Sequence, residues 1–201
     1  MGIYQAYLSF TIVLCILRLL LDLIEKDAIK ETFAKMCRYI VMGIGSYLFY
    51  VVTLKVMLKI KDTEISGYQG TDRIGSFSPA ELPEGLKAAW HNFIDFARWS
   101  NVLTGTEVMK YAFVSVAVLA VILFLVLFLK EKRYKSVLRI VMMCALVAAI
   151  PFGATIVNIL SPGTYFHLLM RLPWALFFVF AVAICERMTY DGKKIWSRFK
   201  K

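Results

Sequence analysis

The sequence predicts an all-α, polytopic integral membrane protein with about five transmembrane helices and one amphipathic interfacial helix in an outer loop. Three observations carry this. The 201 residues are 60% hydrophobic, with a mean hydropathy of +0.67, where soluble domains run ~45–50% apolar. Apolar stretches near the ~20 residues that a membrane-crossing helix needs recur along the chain. Basic residues gather in short segments between those stretches.

The apolar runs place helices at Ile3–Ile24, Tyr39–Leu58, Gly105–Leu129, Val137–Leu160 and Tyr165–Cys185, all within one membrane domain spanning 1–201. Three basic segments separate or follow them. Glu25–Arg38 holds Lys26, Lys30, Lys35 and Arg38. Lys130–Arg139 holds Lys130, Lys132, Arg133, Lys135 and Arg139. The tail 187–201 holds Arg187, Lys193, Lys194, Arg198, Lys200 and Lys201. The long loop, 59–104, is balanced in charge by comparison. Basic segments stay cytoplasmic, so the N-terminus and the long loop face outward and the C-terminus faces the cytoplasm. The net charge of +10 is thus explained by topology, and nucleic acid is excluded as a partner. The tail interleaves Tyr190, Trp196 and Phe199 with its basic residues, the composition of an anchor on anionic lipid.

The outer loop carries helix signals of its own. Ser78-Pro79-Ala80-Glu81 matches a capping box. After it, Leu82, Leu86, Ala89/Trp90, Phe93 and Ala97 recur at helical spacing, while Lys87, His91, Asp95 and Arg98 line another face. The pattern predicts an amphipathic helix over Glu84–Trp99 lying apolar side down on the outer membrane surface, with Trp90 and Phe93 shielded. Thr104-Gly-Thr-Glu107 is a second capping box. Between the second span and the amphipathic helix, ISGYQGTDRIGS reads as a turn-rich loop. Its Tyr68, Gln69 and Asp72 suit sugar hydroxyls, and a plain connector has the same composition.

Few residues could carry chemistry. Arg18 and Asp22 are spaced i, i+4 and can pair at the inner end of the first helix. Cys15, Cys37, Cys144 and Cys185 lie in or beside apolar runs, with no CxxC spacing, and read as core thiols. His91 and Asp95 are too few to make a metal site, and neither a metal nor a cofactor is expected. No nucleophile-elbow, zinc-protease, phosphate-loop or dinucleotide motif occurs. The stretch SPGTYFHLLMRLPW, 161–174, differs from its surroundings. Tyr165 and His167 fall at headgroup depth, and Arg171 falls about one turn deeper. An arginine in the bilayer is costly, ~2.5–3.5 kcal/mol at its centre. Pro173 frees the carbonyl of Leu169 and marks a kink or a fresh helix start. A guanidinium beside unpaired amides outlines an anion site. A snorkelling arginine, or one paired with another helix, fits the same residues.

The order of segments GIYQAYLSF, ISGYQGTD, ELPEGLKAAWHNF and SPGTYFHLLMRLPWALFFVF, followed by a basic tail, resembles the C-terminal region of the bacterial glucosyltransferase-II family. These membrane enzymes modify O-antigen and other surface glycans with glucose from a polyprenyl-phosphate carrier. The resemblance implies that the family's essential acidic residues lie in an early outer loop, in an N-terminal part outside the matched region. Met1 set directly against an uncharged helix start agrees with an internal segment. No catalytic residue is carried over. The resemblance implies an outward-facing role in holding a lipid-phosphate-linked sugar or an acceptor glycan in the cell membrane, with an N-terminal catalytic half as partner beside the membrane lipids. Candidate binding residues are Arg171, His167, Tyr165, Tyr68, Gln69 and Asp72. A non-enzymatic membrane subunit, or less plausibly a component of a lipid-linked-sugar transporter, is the alternative. Transport pathways carry ionisable groups at mid-membrane, and this chain has few there.

Overall fold

The computed structural model describes residues 2–25, 28–62, 79–99, 107–160 and 168–199. Every regular element among them is helical. In order they are α1 (Gly2–Glu25), α2 (Ile29–Lys61), a 3-10 turn at Pro79–Glu81, α3 (Leu82–Trp99), α4 (Glu107–Lys130), a 3-10 turn at Arg133–Lys135, α5 (Val137–Ala154), α6 (Ile156–Leu160), a 3-10 segment at Leu168–Ala175 and α7 (Leu176–Phe199). Four stretches are long and apolar enough to cross a membrane: Tyr7–Glu25, Ile29–Lys61, Val137–Ala154 and Leu172–Thr189. Within α4, the apolar helix Val114–Lys130 is shorter.

α1 is the central helix. Val13, Ile16, Leu17, Leu20, Leu23 and Ile24 are all buried, and their spacing gives the helix a wide apolar face. That face packs against α5 and the 3-10 segment, with α2, α6 and α7 also touching α1. Gly153 of α5 lets α1 approach closely. A Cβ there would stand 2.8 Å from Ile12 Cγ2 and 3.1 Å from Ile16 Cδ1. On the other side α4 packs on α7. Phe124, Leu127 and Phe128 meet Leu176, Phe180 and Ile184 in one continuous core, and the Phe124 and Phe180 rings are 6.0 Å apart.

Three elements differ from the sequence expectation, each for a local reason. α2 begins at Ile29 rather than near Tyr39, so the segment read as a basic loop is mostly helix. Lys30, Glu31, Ala34, Lys35 and Met36 are good helix formers and no breaker interrupts them. At 33 residues the helix is about 50 Å long, more than the ~30 Å hydrocarbon thickness requires.

The fourth expected helix, Val137–Leu160, is broken at Thr155, which sits at φ −121°, ψ 28° between α5 and α6. Pro151 supplies no backbone donor one turn earlier. The fifth expected helix begins outside the described residues, and its first described part, Leu168–Ala175, is not α-helical. The chain is in 3-10 form across Pro173 and becomes α-helical at Leu176, which is the fresh start that a proline there favours. α7 then runs on to Phe199, so most of the basic tail continues the helix.

Candidate functional site

The bundle has two ends with different chemistry. At the end where α1 leads into α2, Asp22 is fully buried and Lys35 Nζ lies 2.6 Å from Asp22 Oδ2. Arg18 Nη2 approaches Oδ1 to 2.8 Å as an ion pair without hydrogen-bond alignment, and reaches Glu25 at 3.3 Å. The Arg18–Asp22 pair follows from i, i+4 spacing. Lys35 was invisible to that logic, because it comes from the next helix across a tight connection. Arg139 of α5 donates to Leu23 O at 2.7 Å. That carbonyl is in the last turn of α1, where no helical donor remains for it. Lys35 also stands 5.8 Å from the centre of the Tyr39 ring, within cation–π range. The cluster neutralises and seals one end of the bundle, and its polar groups point at one another.

At the other end α3 lies across α5 and α6. The expected apolar face of α3 is divided in two. Ala89 is buried, Phe93 is packed into the core, and Gly85 lies against α6. A Cβ on Gly85 would stand 3.1 Å from Asn158 O and 3.2 Å from Ile159 Cα, so only glycine seats α3 this low. Phe93 stacks on Trp174 at 4.4 Å between ring centres. Leu82, Leu86 and Trp90 stay at the protein surface, Trp90 at 51% exposure, with the Phe152 ring 6.4 Å away. The sequence expected Trp90 and Phe93 to be shielded by lipid or by other helices. The protein covers Phe93 and leaves the indole outside. On the polar face His91 Nε2 and Asp95 Oδ2 are 3.0 Å apart, both with substantial exposure. The described residues contain no cluster of three or more metal-binding side chains.

Beneath α3, Thr155 stitches the break in the helix. Its hydroxyl is 2.7 Å from Pro151 O and 3.0 Å from Ala89 O, and its single proton serves the two carbonyls in turn. Asn158 is 3% exposed and its Nδ2 has no partner among the described residues. Ser9 of α1 is fully buried, its Oγ likewise without a partner among the described residues, about one turn from the Ile12–Gly153 contact. A buried polar atom without a partner costs ~1–3 kcal/mol. Such atoms are concentrated where a bound water or ligand completes them.

The 3-10 segment Leu168–Ala175 packs against α1, and it carries Arg171. The described backbone reaches Arg171, and its side chain lies outside the description. Tyr165, His167, Tyr68, Gln69 and Asp72 lie outside the described residues. Ser9, Thr155 and Asn158 were missed by sequence reasoning. Asn158 was detectable in principle, as the one amide within the apolar run 137–160.

These features define a helical membrane protein whose helices are interrupted, at Thr155 and across Pro173, at the end of the bundle covered by α3. The chain belongs to a glycosyltransferase family: the family model described as glucosyl transferase GtrII matches residues 1–180. Comparison with curated proteins and comparison with solved structures give no match.

Proposed function

We propose that this chain is the part of a surface-glycan glucosyltransferase that holds a polyprenyl-phosphate-linked sugar, or the acceptor glycan, at the outer face of the bacterial cell membrane. In this reading α4 is a fifth span, the N-terminus is outside and the C-terminus cytoplasmic. α3 lies at the outer interface, with Leu82, Leu86 and Trp90 turned to lipid and His91 and Asp95 turned to water. The chemical step belongs to an N-terminal half carrying the acidic outer loop.

The observation that supports the reading best is the 3-10 segment. It carries Arg171 and packs against α1, on a backbone that becomes α-helical only at Leu176, past Pro173. A phosphate would meet the guanidinium through charge-assisted, bidentate hydrogen bonds. The test is binding of polyprenyl-phosphate glucose to membranes carrying the chain. Arg171→Ala should abolish binding and Arg171→Lys should weaken it, because the planar fork is lost. Unchanged binding in both, at normal membrane levels, overturns the site. A sugar-transfer assay on the chain with and without an N-terminal half separates holding from catalysis.

A further inference from the structure

The segment Leu168–Ala175 keeps 3-10 form for 8 residues. Runs beyond ~3–4 residues are uncommon, because i→i+3 hydrogen bonds are poorly aligned and side chains one turn apart eclipse each other. Pro173 removes a backbone donor from within this one. Local sequence therefore does not hold the backbone, and contacts from other elements must.

Those contacts converge on two neighbours. Pro173 is fully buried and Trp174 is 5% exposed, whereas Leu172 just before them is 45% exposed. α1 packs against the segment. Phe177 reaches the indole at 5.4 Å, but it sits in the first turn of α7, which continues the same stretch of chain, so it moves with what it touches. Phe93 comes from elsewhere. Its ring is stacked on Trp174 at 4.4 Å, with 26° between the planes. Its own helix is seated independently, by Gly85 on α6 and by Thr155 at Ala89 O. Arg171 stands three residues before Trp174, one turn of a 3-10 helix. What fixes the indole fixes the backbone that bears Arg171.

We propose that Phe93 is a positioning residue: by stacking on Trp174 it holds the 3-10 segment in the form that presents Arg171, so the seating of α3 sets the affinity for the lipid phosphate. This rests on the phosphate site proposed above, and it adds the outer-loop helix to that site. Phe93 acts through the indole and needs no contact with the ligand.

The test uses the full chain in its membrane. Phe93→Leu keeps an apolar side chain and removes the stack, and Phe93→Tyr keeps the ring. Gly85→Val displaces α3 without altering either ring. Phe93→Leu should speed hydrogen exchange of the amides in 168–175 and weaken binding of polyprenyl-phosphate glucose by about two- to tenfold, the range expected for one aromatic pair. Gly85→Val should do the same, and Phe93→Tyr should restore both readouts. Phe124→Leu is the control for a general loss of stability. It removes a buried ring that packs 6.0 Å from Phe180, and it should change neither readout. Exchange and affinity both unaltered in Phe93→Leu, while Arg171→Ala abolishes binding, overturn the positioning role and leave the phosphate site standing. Equal losses in Phe124→Leu mean that stability alone is being read, and also overturn it. Binding that is indifferent to Arg171→Ala overturns the phosphate site and, with it, any positioning by Phe93, even where exchange rises.

Discussion

Asp22 shows how much one side chain can require of its neighbours. Burying a carboxylate is costly unless opposite charge and hydrogen bonds accompany it, and here Lys35 and Arg18 both approach it. Removing one partner of a buried pair costs ~3–5 kcal/mol. Lys35→Met should therefore lower stability by about 3 kcal/mol, the low end of that range because Arg18 remains. Asp22→Ala strips the anion from two cations and should cost more. Thermal unfolding in detergent gives the order, and an unchanged stability in Lys35→Met would show that Lys35 is a spectator. Gly153 makes a steric demand of the same kind. Gly153→Ala should destabilise by ~1–3 kcal/mol through overpacking, since the blocking atom is a β-branch methyl that cannot swing aside. Ile12→Leu, which removes that methyl, should restore part of the loss in the same measurement.

Among elements, α3 lies across α5 and α6. It is seated by Gly85 on α6, by the Thr155 hydroxyl at Ala89 O and by the Phe93–Trp174 stack. Gly85→Val would have to displace backbone atoms of Asn158 and Ile159, which cannot rotate away. Hydrogen exchange of α3 amides should then accelerate while α1 and α5 are unchanged. Unaltered protection would mean that α3 is held from elsewhere. The amphipathic helix itself was legible in the sequence. The partition of its apolar residues was not, because periodicity tells which residues share a face and not which part of that face meets protein.

For the whole molecule, orientation is the property on which every outer-face inference depends. A cysteine at Ser76 should react with an impermeant reagent added to intact cells, and one at Ser136 should not. The opposite pattern would invert the chain and place the Asp22–Lys35 cluster outside. Membership of the glucosyl transferase GtrII family fits either the holding role or a role in assembly.

The sequence by itself determined what depends on neighbours along the chain. Apolar run lengths set the helical membrane class, i, i+4 spacing paired Arg18 with Asp22, and Pro173 ended one helical path and began another. Tertiary structure alone decided which distant groups complete those local features: Lys35 on Asp22, Arg139 on Leu23 O, Trp174 on Phe93, and Thr155 on Ala89 O beneath α3. The reason is physical. Helical periodicity fixes the direction of a side chain within its own helix. Its partner is set by how helices far apart in sequence pack, and one apolar stripe offers much the same surface to any of them.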